Sequence, residues 1–179
     1  MGKFESIAFN KNQDLLELIL LWKRHIDDVF SLFKGSEEQC GELAAWLNSI
    51  LPEVVKFKLN FSTEKIEILD LEISIIDGKL ETNLYIKPSN LQLYLDYSTN
   101  HPQHCKIGII YSQALRIIER CSRPENVYLY LENLKDKLKA RNYPEERIEQ
   151  HFEKAKKKSR QELINQNRKN KKKNDGKTD

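Results

Sequence analysis

The chain has 179 residues, enough for one ordinary domain or two small units, with 39% hydrophobic and 32% charged residues. This balance is typical of a globular protein that carries a surplus of surface charge. The longest apolar run, Leu18 to Trp22, is too short to span a membrane, and the first residues lack the apolar core of a signal peptide. We therefore expect an intracellular protein, nuclear or cytoplasmic, with no membrane partner.

The three cysteines, Cys40, Cys105 and Cys121, are an odd number without close pairing. This favours free thiols in a reducing compartment over a disulfide framework. A zinc site made of His101, His104, Cys105 and Cys121 is an alternative. Zinc sites usually show two closely spaced ligand pairs, and only one such pair is present here.

The net charge of +3 is unevenly distributed along the chain. Residues 154–173 hold ten Lys or Arg and one acid, a net +9, whereas residues 174–179 carry −1 and residues 1–153 carry −5. Lysine triplets at 156–158 and 171–173 are typical of nucleic-acid or nuclear-targeting patches, and equally of solubilising tails. We expect residues 159–179 to form a basic, disordered tail.

In the first half of the chain, apolar residues predict short strands at Leu20–Arg24 and Val29–Lys34, joined by a tight turn that carries two acids. Ser36 followed by Gln39 is a capping-box pattern, and the apolar stripe that follows predicts a helix ending at Pro52. Alternating residues then predict three further strands, namely 55–62, 66–76 and 80–86, the last two joined by Asp77-Gly78.

The second half of the chain has the spacing of helices. Apolar stripes predict three of them, at 107–121, 124–141 and from Pro144 onward. Arg116 and Arg120 are four residues apart and share a helix face, beside which lie Lys106 and Arg123. These four cations are candidate phosphate contacts, although an ordinary solvated helix face explains them as well.

The predicted turn between the first two strands contains adjacent aspartates, Asp27 and Asp28. Enzymes that join nucleotides hold two divalent metals with carboxylate oxygens, and a tight turn can project neighbouring carboxylates into a cleft. An aspartate pair alone is also common in solvated turns, so the context has to decide.

That context is the segment Trp22-Lys23-Arg24-His25-Ile26-Asp27-Asp28-Val29-Phe30, which resembles the third palm motif of reverse transcriptases from Penelope-like retroelements. Similar phrases follow in the same order over roughly residues 20–165. The main ones are Leu69–Ile73, Asp77–Thr82, Leu84–Pro88, Tyr111–Arg116, Arg120–Ser122 and Arg141–Pro144.

The resemblance implies an α+β fold: a partial reverse-transcriptase palm, made of a short antiparallel sheet with one packed helix, then a three-helix, thumb-like helix-turn-helix region. Residues 1–18 would be a remnant of the segment before the third palm motif. The palm would occupy 19–88, the helical region 89–158 and the basic tail 159–179.

The resemblance also assigns roles to single residues. Asp27 and Asp28 would be the catalytic, Mg²⁺-binding pair, and Lys87 would lie near the template or primer backbone. His25 stands where the family usually has Tyr or Phe, at a position of primer contact. The expected nucleic-acid-binding set is His25, Lys87, Lys106, Arg116, Arg120 and Arg123.

We therefore interpret the chain as a truncated RNA-directed DNA polymerase fragment that lacks the first palm motif and the fingers. Its partner would be an RNA or DNA template–primer. Alone it would be inactive, bind Mg²⁺ weakly and retain some nucleic-acid affinity. The alternative is a non-catalytic helix-turn-helix-type nucleic-acid-binding module, or a decayed gene product. The oligomeric state stays open.

Overall fold

A computed structural model describes residues 2–8 and 16–175, with side chains described for 4–8 and 16–169. In this part of the chain the fold is α+β, with six helices and two small antiparallel sheets. The chain divides into two compact units, Met1–Ile68 and Leu69–Asp179. No helix among the described residues is long and apolar enough to cross a membrane.

The first unit is built on a β-hairpin and a helix. Its elements are α1 (Gly2–Ala8), β1 (Ile19–His25), β2 (Asp28–Phe33), α2 (Glu37–Ile50) and β3 (Lys65–Ile68). The antiparallel register pairs Trp22 with Ser31 and His25 with Asp28. The two strands and the tight turn predicted from the sequence are therefore confirmed.

Helix α2 begins as the sequence predicts. The Ser36 hydroxyl accepts a hydrogen bond from the backbone N–H of Gln39 at 3.2 Å, and the Gln39 side chain accepts one from the N–H of Ser36 at 2.9 Å. This reciprocal capping box satisfies two backbone donors that a helix start otherwise leaves unpaired. Leu43 and Leu47 then pack with Phe4 and Ala8 to form the core of the unit.

The strand predicted at 55–62 is wrong, because the structure assigns no strand to these residues. The Asn48 side chain of α2 occupies the backbone groups of Phe57, donating to its carbonyl at 3.0 Å and accepting from its N–H at 2.5 Å. The Phe57 ring lies 5.4 Å from Phe4 and 6.5 Å from Trp22, measured between ring centroids. The apolar residue Phe57 therefore anchors an irregular segment on the core, and the alternating pattern does not form a strand.

The second unit opens with a hairpin, β4 (Leu71–Ile76) and β5 (Lys79–Leu84), in which Ile75 pairs with Leu80. Its turn is formed by Asp77 and Gly78, both with positive φ, as expected for this dipeptide. The continuous strand predicted at 66–76 is interrupted instead. Leu69 adopts a φ of +55°, which ends β3 and turns the chain at Asp70 before β4 begins.

Four helices complete this unit: α3 (Gln103–Arg120), α4 (Pro124–Lys139), α5 (Glu145–Lys156) and α6 (Arg160–Asp175). Helix α3 is central and contacts the other three as well as β5. The most completely buried side chains of the core include Ile110, Leu138, Ile148 and Phe152. The three predicted helices are therefore present.

Strand β5 belongs to the same core through Leu84, which is buried among the helices. Thr82 adds polar contacts, since its hydroxyl donates to the carbonyl of Arg120 at 2.7 Å and its N–H donates to the Ser122 hydroxyl at 3.0 Å. The β4–β5 hairpin, which the resemblance places within a palm of residues 19–88, therefore packs on the helical unit.

The basic tail expected to be disordered from Ser159 contains helix α6. Ser159 and Glu162 form a second reciprocal capping box, with contacts of 2.9 and 3.2 Å. Leu163 is buried in the core of the second unit. Over the described part of this segment, a capped N-terminus and one buried leucine stabilise a helix despite the polar composition.

Candidate nucleic-acid interface

The turn between β1 and β2 carries the predicted catalytic pair. Asp27 and Asp28 are exposed there, next to exposed His25 and to Ile26, which has a φ of +55°. Among the described residues, no group of three or more His, Cys, Asp or Glu side chains is placed to hold a metal ion. The turn therefore offers two carboxylates and does not fit the full ligand set of a two-metal Mg²⁺ site.

The alternative zinc site is not assembled among those residues either. Cys121 is buried in the core of the helical unit, whereas Cys105 is exposed. His101 contacts the Thr99 hydroxyl through Nδ1 at 3.2 Å. All three cysteines are free, as the sequence predicted.

Lys106, an expected nucleic-acid contact, is only 6% exposed. Its ammonium donates to the backbone carbonyls of Tyr97 and Thr99, each at 2.8 Å, and lies 5.1 Å from the centroid of the Tyr97 ring. A buried cation held in this way stabilises the loop before α3. Lys106 is therefore structural, and we remove it from the set of phosphate contacts. Lys87, by contrast, is exposed after β5.

Arg116 and Arg120 lie on one face of α3, as their spacing predicted, but both are bound to the same carboxylate. The Nε atoms donate to Oδ2 of Asp70 at 3.0 and 3.1 Å. Burial of the Asp70 carboxyl acts to raise its pKa, but the two guanidinium groups outweigh this and hold the pKa below its ordinary value of 3.8. Arg120 also pairs with Glu119 at 2.9 Å, so two carboxylates balance the two arginines.

Arg123 is likewise engaged. It forms an ion pair with Glu81 of β5, and the hydrogen bond to that carboxylate raises the pKa of Arg123. The sequence predicts the three arginines as surface cations but does not predict their carboxylate partners. No sequence signal pointed to these pairs, because Asp70 and Glu81 lie more than 40 residues away along the chain.

The turn between α4 and α5 carries opposite charges on its two sides. Lys135 of α4 binds Glu145 at 2.9 Å and Glu149 at 2.5 Å, and Lys139 binds Glu145 at 3.2 Å. Hydrogen bonds to both glutamates raise the pKa of Lys135. The start of α5 is therefore acidic, with its charge largely balanced by α4.

The far end of α5 and helix α6 carry the positive charge of the unit. Residues 154–169 contain seven Lys or Arg and one acid, a net +6. Six of these cations are exposed and Arg160 is half-buried. We call this set the α5–α6 basic surface: Lys154, Lys156, Lys157, Lys158, Arg160, Arg168 and Lys169.

Local contacts occupy only part of this surface. Lys156 pairs with Glu153 at 2.9 Å, and the Lys154 ammonium lies 5.2 Å from the centroid of the Tyr111 ring. Among the described side chains, no carboxylate lies within ion-pair distance of Lys157, Lys158 or Arg168. The surface therefore keeps an uncompensated positive charge that is available to an anionic partner.

The helical unit is also the part of the chain that has a counterpart among known protein families. No curated protein sequence and no solved structure matches the chain. Residues 93–153, which contain α3, α4 and most of α5, match the animal helix-turn-helix domain family.

Proposed function

We propose that this protein binds nucleic acid through its helical unit, by contacts to backbone phosphates from the α5–α6 basic surface. The observation that carries the proposal is the position of that surface. It joins the end of the matched segment to helix α6. Three of its cations, Lys157, Lys158 and Arg168, lie within ion-pair distance of no carboxylate among the described side chains. Helix-turn-helix domains are a common class of nucleic-acid-binding fold.

The charge distribution favours phosphate contacts over base reading. Helix-turn-helix proteins read bases with the first residues of a recognition helix, and we assign this role to the start of α5, the last helix of the matched segment. The first turn of α5 bears Glu145 and Glu146, whose negative charges repel phosphates. Lysine contacts to phosphates give affinity with little sequence dependence and a strong dependence on salt.

The proposal is tested by measuring fluorescence anisotropy of labelled duplex DNA and duplex RNA over a series of salt concentrations. We expect the logarithm of the affinity to fall linearly with the logarithm of salt concentration. A double variant, Lys157→Gln with Lys158→Gln, should bind more weakly and reduce the slope for DNA by about 2, since each phosphate contact contributes roughly 0.9.

The matched control is Lys56→Gln with Lys58→Gln, which removes the same charge from two exposed lysines of the first unit. We expect the control to bind as the unmodified chain does. Equal losses in the two double variants would mean that total charge, and not this surface, drives binding. Absence of binding at low salt would refute the proposal.

A second candidate function is that of a reverse-transcriptase fragment from a retroelement. It is supported by the ordered phrases that resemble the Penelope-like family and by an antiparallel hairpin with Asp27 and Asp28 at its turn. In this reading, the helical unit would hold a template–primer duplex, with His25 and Lys87 near the primer or template.

Primer extension on an RNA template, with Mg²⁺ or Mn²⁺, tests the second candidate. We expect no extension, because two carboxylates do not make a two-metal site, and we expect titration to place Mg²⁺ binding in the millimolar range or weaker. The control is Asp27→Asn with Asp28→Asn. Extension that is lost in this control would show that a further carboxylate completes the site.

A further inference from the structure

A groove on the helical unit joins two cations of the α5–α6 basic surface, Lys156 and Arg160, to apolar and aromatic side chains that phosphate contacts do not use. It has a volume of about 320 Å³ and lies beside the first half of α4, where Val127 and Leu131 form part of its apolar lining. Tyr128 lines the same groove and is 65% exposed, an unusual position for a large aromatic side chain. Pockets for small ligands start at about 300 Å³, so the groove accommodates one compact group.

The polar lining of the groove is cationic. Arg123, Lys156 and Arg160 contribute to it, and no carboxylate does. Arg123 and Lys156 are each paired with a glutamate outside the groove. The charge of Arg160 is not balanced in this way by any described side chain.

Arg160 is also fixed in place. Its Nε donates to the carbonyl of Glu119 at 3.0 Å and its Nη2 donates to the Thr82 hydroxyl at 3.0 Å. Both acceptors are neutral, so the guanidinium keeps its full charge and three further N–H donors. A positioned arginine with free donors is well suited to bind phosphate oxygens.

We propose that this groove binds one nucleotide of a single-stranded nucleic acid, with its base stacked on Tyr128 and its phosphate held by Arg160 and Lys156. This inference rests on the proposed function and adds a preference for unpaired bases. Only a ligand that joins a flat apolar ring to an anion uses both the aromatic and the cationic side of the groove. Stacking on an aromatic side chain and phosphate binding by arginine are the two contacts that single-stranded nucleic acids offer without regard to sequence.

The test compares a short single-stranded oligonucleotide, as DNA and as RNA, with a blunt duplex of the same sequence. Tyr128→Ala should weaken single-strand binding roughly ten-fold, as expected for the loss of one stacked base, and leave duplex binding within about two-fold. Tyr128→Phe should retain binding, because the ring remains. Leu129→Ala is the matched control, since Leu129 is an exposed neighbour, 56% accessible, that does not line the groove.

Arg160 is tested with a pair of variants. Arg160→Gln should weaken single-strand binding, and Arg160→Lys should restore part of it. Thermal melting followed by circular dichroism identifies any loss caused by unfolding, and in that case the comparison of Tyr128→Ala with Leu129→Ala decides alone.

The outcomes separate this inference from the proposed function. If the unmodified chain binds the duplex but Tyr128→Ala leaves single-strand binding unchanged, or weakens both ligands equally, the groove assignment is wrong and the phosphate-binding proposal stands. If the unmodified chain binds neither ligand, both fail. Displacement of the oligonucleotide by a phosphopeptide at equal concentration would refute a nucleotide as the occupant. If Tyr128→Ala weakens the binding of the RNA and DNA oligonucleotides equally, the groove binds the base and phosphate without contacting the ribose 2′-hydroxyl.

Discussion

The contact of Asp70 with two arginines leads to a prediction with opposite effects on stability and on binding. The Asp70, Arg116 and Arg120 side chains are 27%, 37% and 28% exposed, so solvent screens the ion pairs only in part. Asp70→Asn removes this charge and leaves Arg116 without a carboxylate, whereas Arg120 keeps its ion pair with Glu119 at 2.9 Å. The Arg116 guanidinium then becomes free for phosphates.

The expected loss of stability follows from the number of contacts. Hydrogen bonds to charged groups contribute about 1.5–3 kcal/mol each, and exposed ion pairs about 0–1 kcal/mol. For two partly exposed contacts we expect a loss of about 1–2 kcal/mol, which lowers the melting temperature by roughly 3–8 °C in a unit of this size. The measurement is thermal unfolding at neutral pH and fixed ionic strength.

The same substitution should tighten duplex binding if Asp70 competes with phosphates for the arginines. The slope of affinity against salt should steepen by up to about 0.9, for the one additional contact that Arg116 can make. Asp136→Asn, at an exposed aspartate of α4, removes one negative charge without touching the pair and should change neither property much. Weaker duplex binding by Asp70→Asn would refute the reasoning, because Asp70 would then position the arginines for phosphates.

Three further predictions concern the same unit. Because folding lowers the pKa of Asp70, its contribution to the free energy of unfolding should be present at pH values above about 3.8 and be lost as the pH falls below that. The stability difference between the unmodified chain and Asp70→Asn should therefore shrink in acid. Lys106→Met leaves the carbonyls of Tyr97 and Thr99 without their donor and should cost about 1–3 kcal/mol in thermal unfolding, while duplex affinity stays unchanged. Leu163→Ala should release α6 and increase its cleavage by trypsin, with the core of α3–α5 still folded; an unchanged cleavage pattern would contradict a docked helix.

The elements that could be predicted from the sequence are those whose signals are local. The capping box at Ser36, the apolar stripes of α3 to α5 and the two-acid turn after β1 each need only a few neighbouring residues, and the structure contains them. The second capping box, Ser159-Arg160-Gln161-Glu162, carries the same local signal. The composition around it is rich in Lys and Asn and favours disorder, so the two signals in this segment conflict.

The parts that could not be predicted depend on distant residues. Asp70, which binds Arg116, follows Leu69 in a left-handed conformation, which leucine adopts rarely and which no sequence pattern predicts. The alternation at 55–62 has the period of a strand, yet one asparagine on α2 occupies the backbone groups of Phe57. The sequence predicts Lys106 as a surface cation, but the side chain is buried and donates to two backbone carbonyls. In each case a tertiary contact overrides a local preference.

The distribution of charge over the helical unit predicts an orientation for the proposed complex with nucleic acid. At the start of α5, Glu145 and Glu149 are bound by Lys135, so this end attracts phosphates little and offers few free donors to bases. Eight or more residues later, at the opposite end of α5, Lys157 and Lys158 have no carboxylate partner among the described side chains, and α6 continues the same charge. In the binding mode that we propose, a duplex drawn by this field would contact the end of α5 and α6 first, with the acidic start of α5 directed away from it. Because phosphates are the same in every sequence, binding in this orientation would discriminate poorly between sequences, and any selectivity would have to come from strandedness or shape.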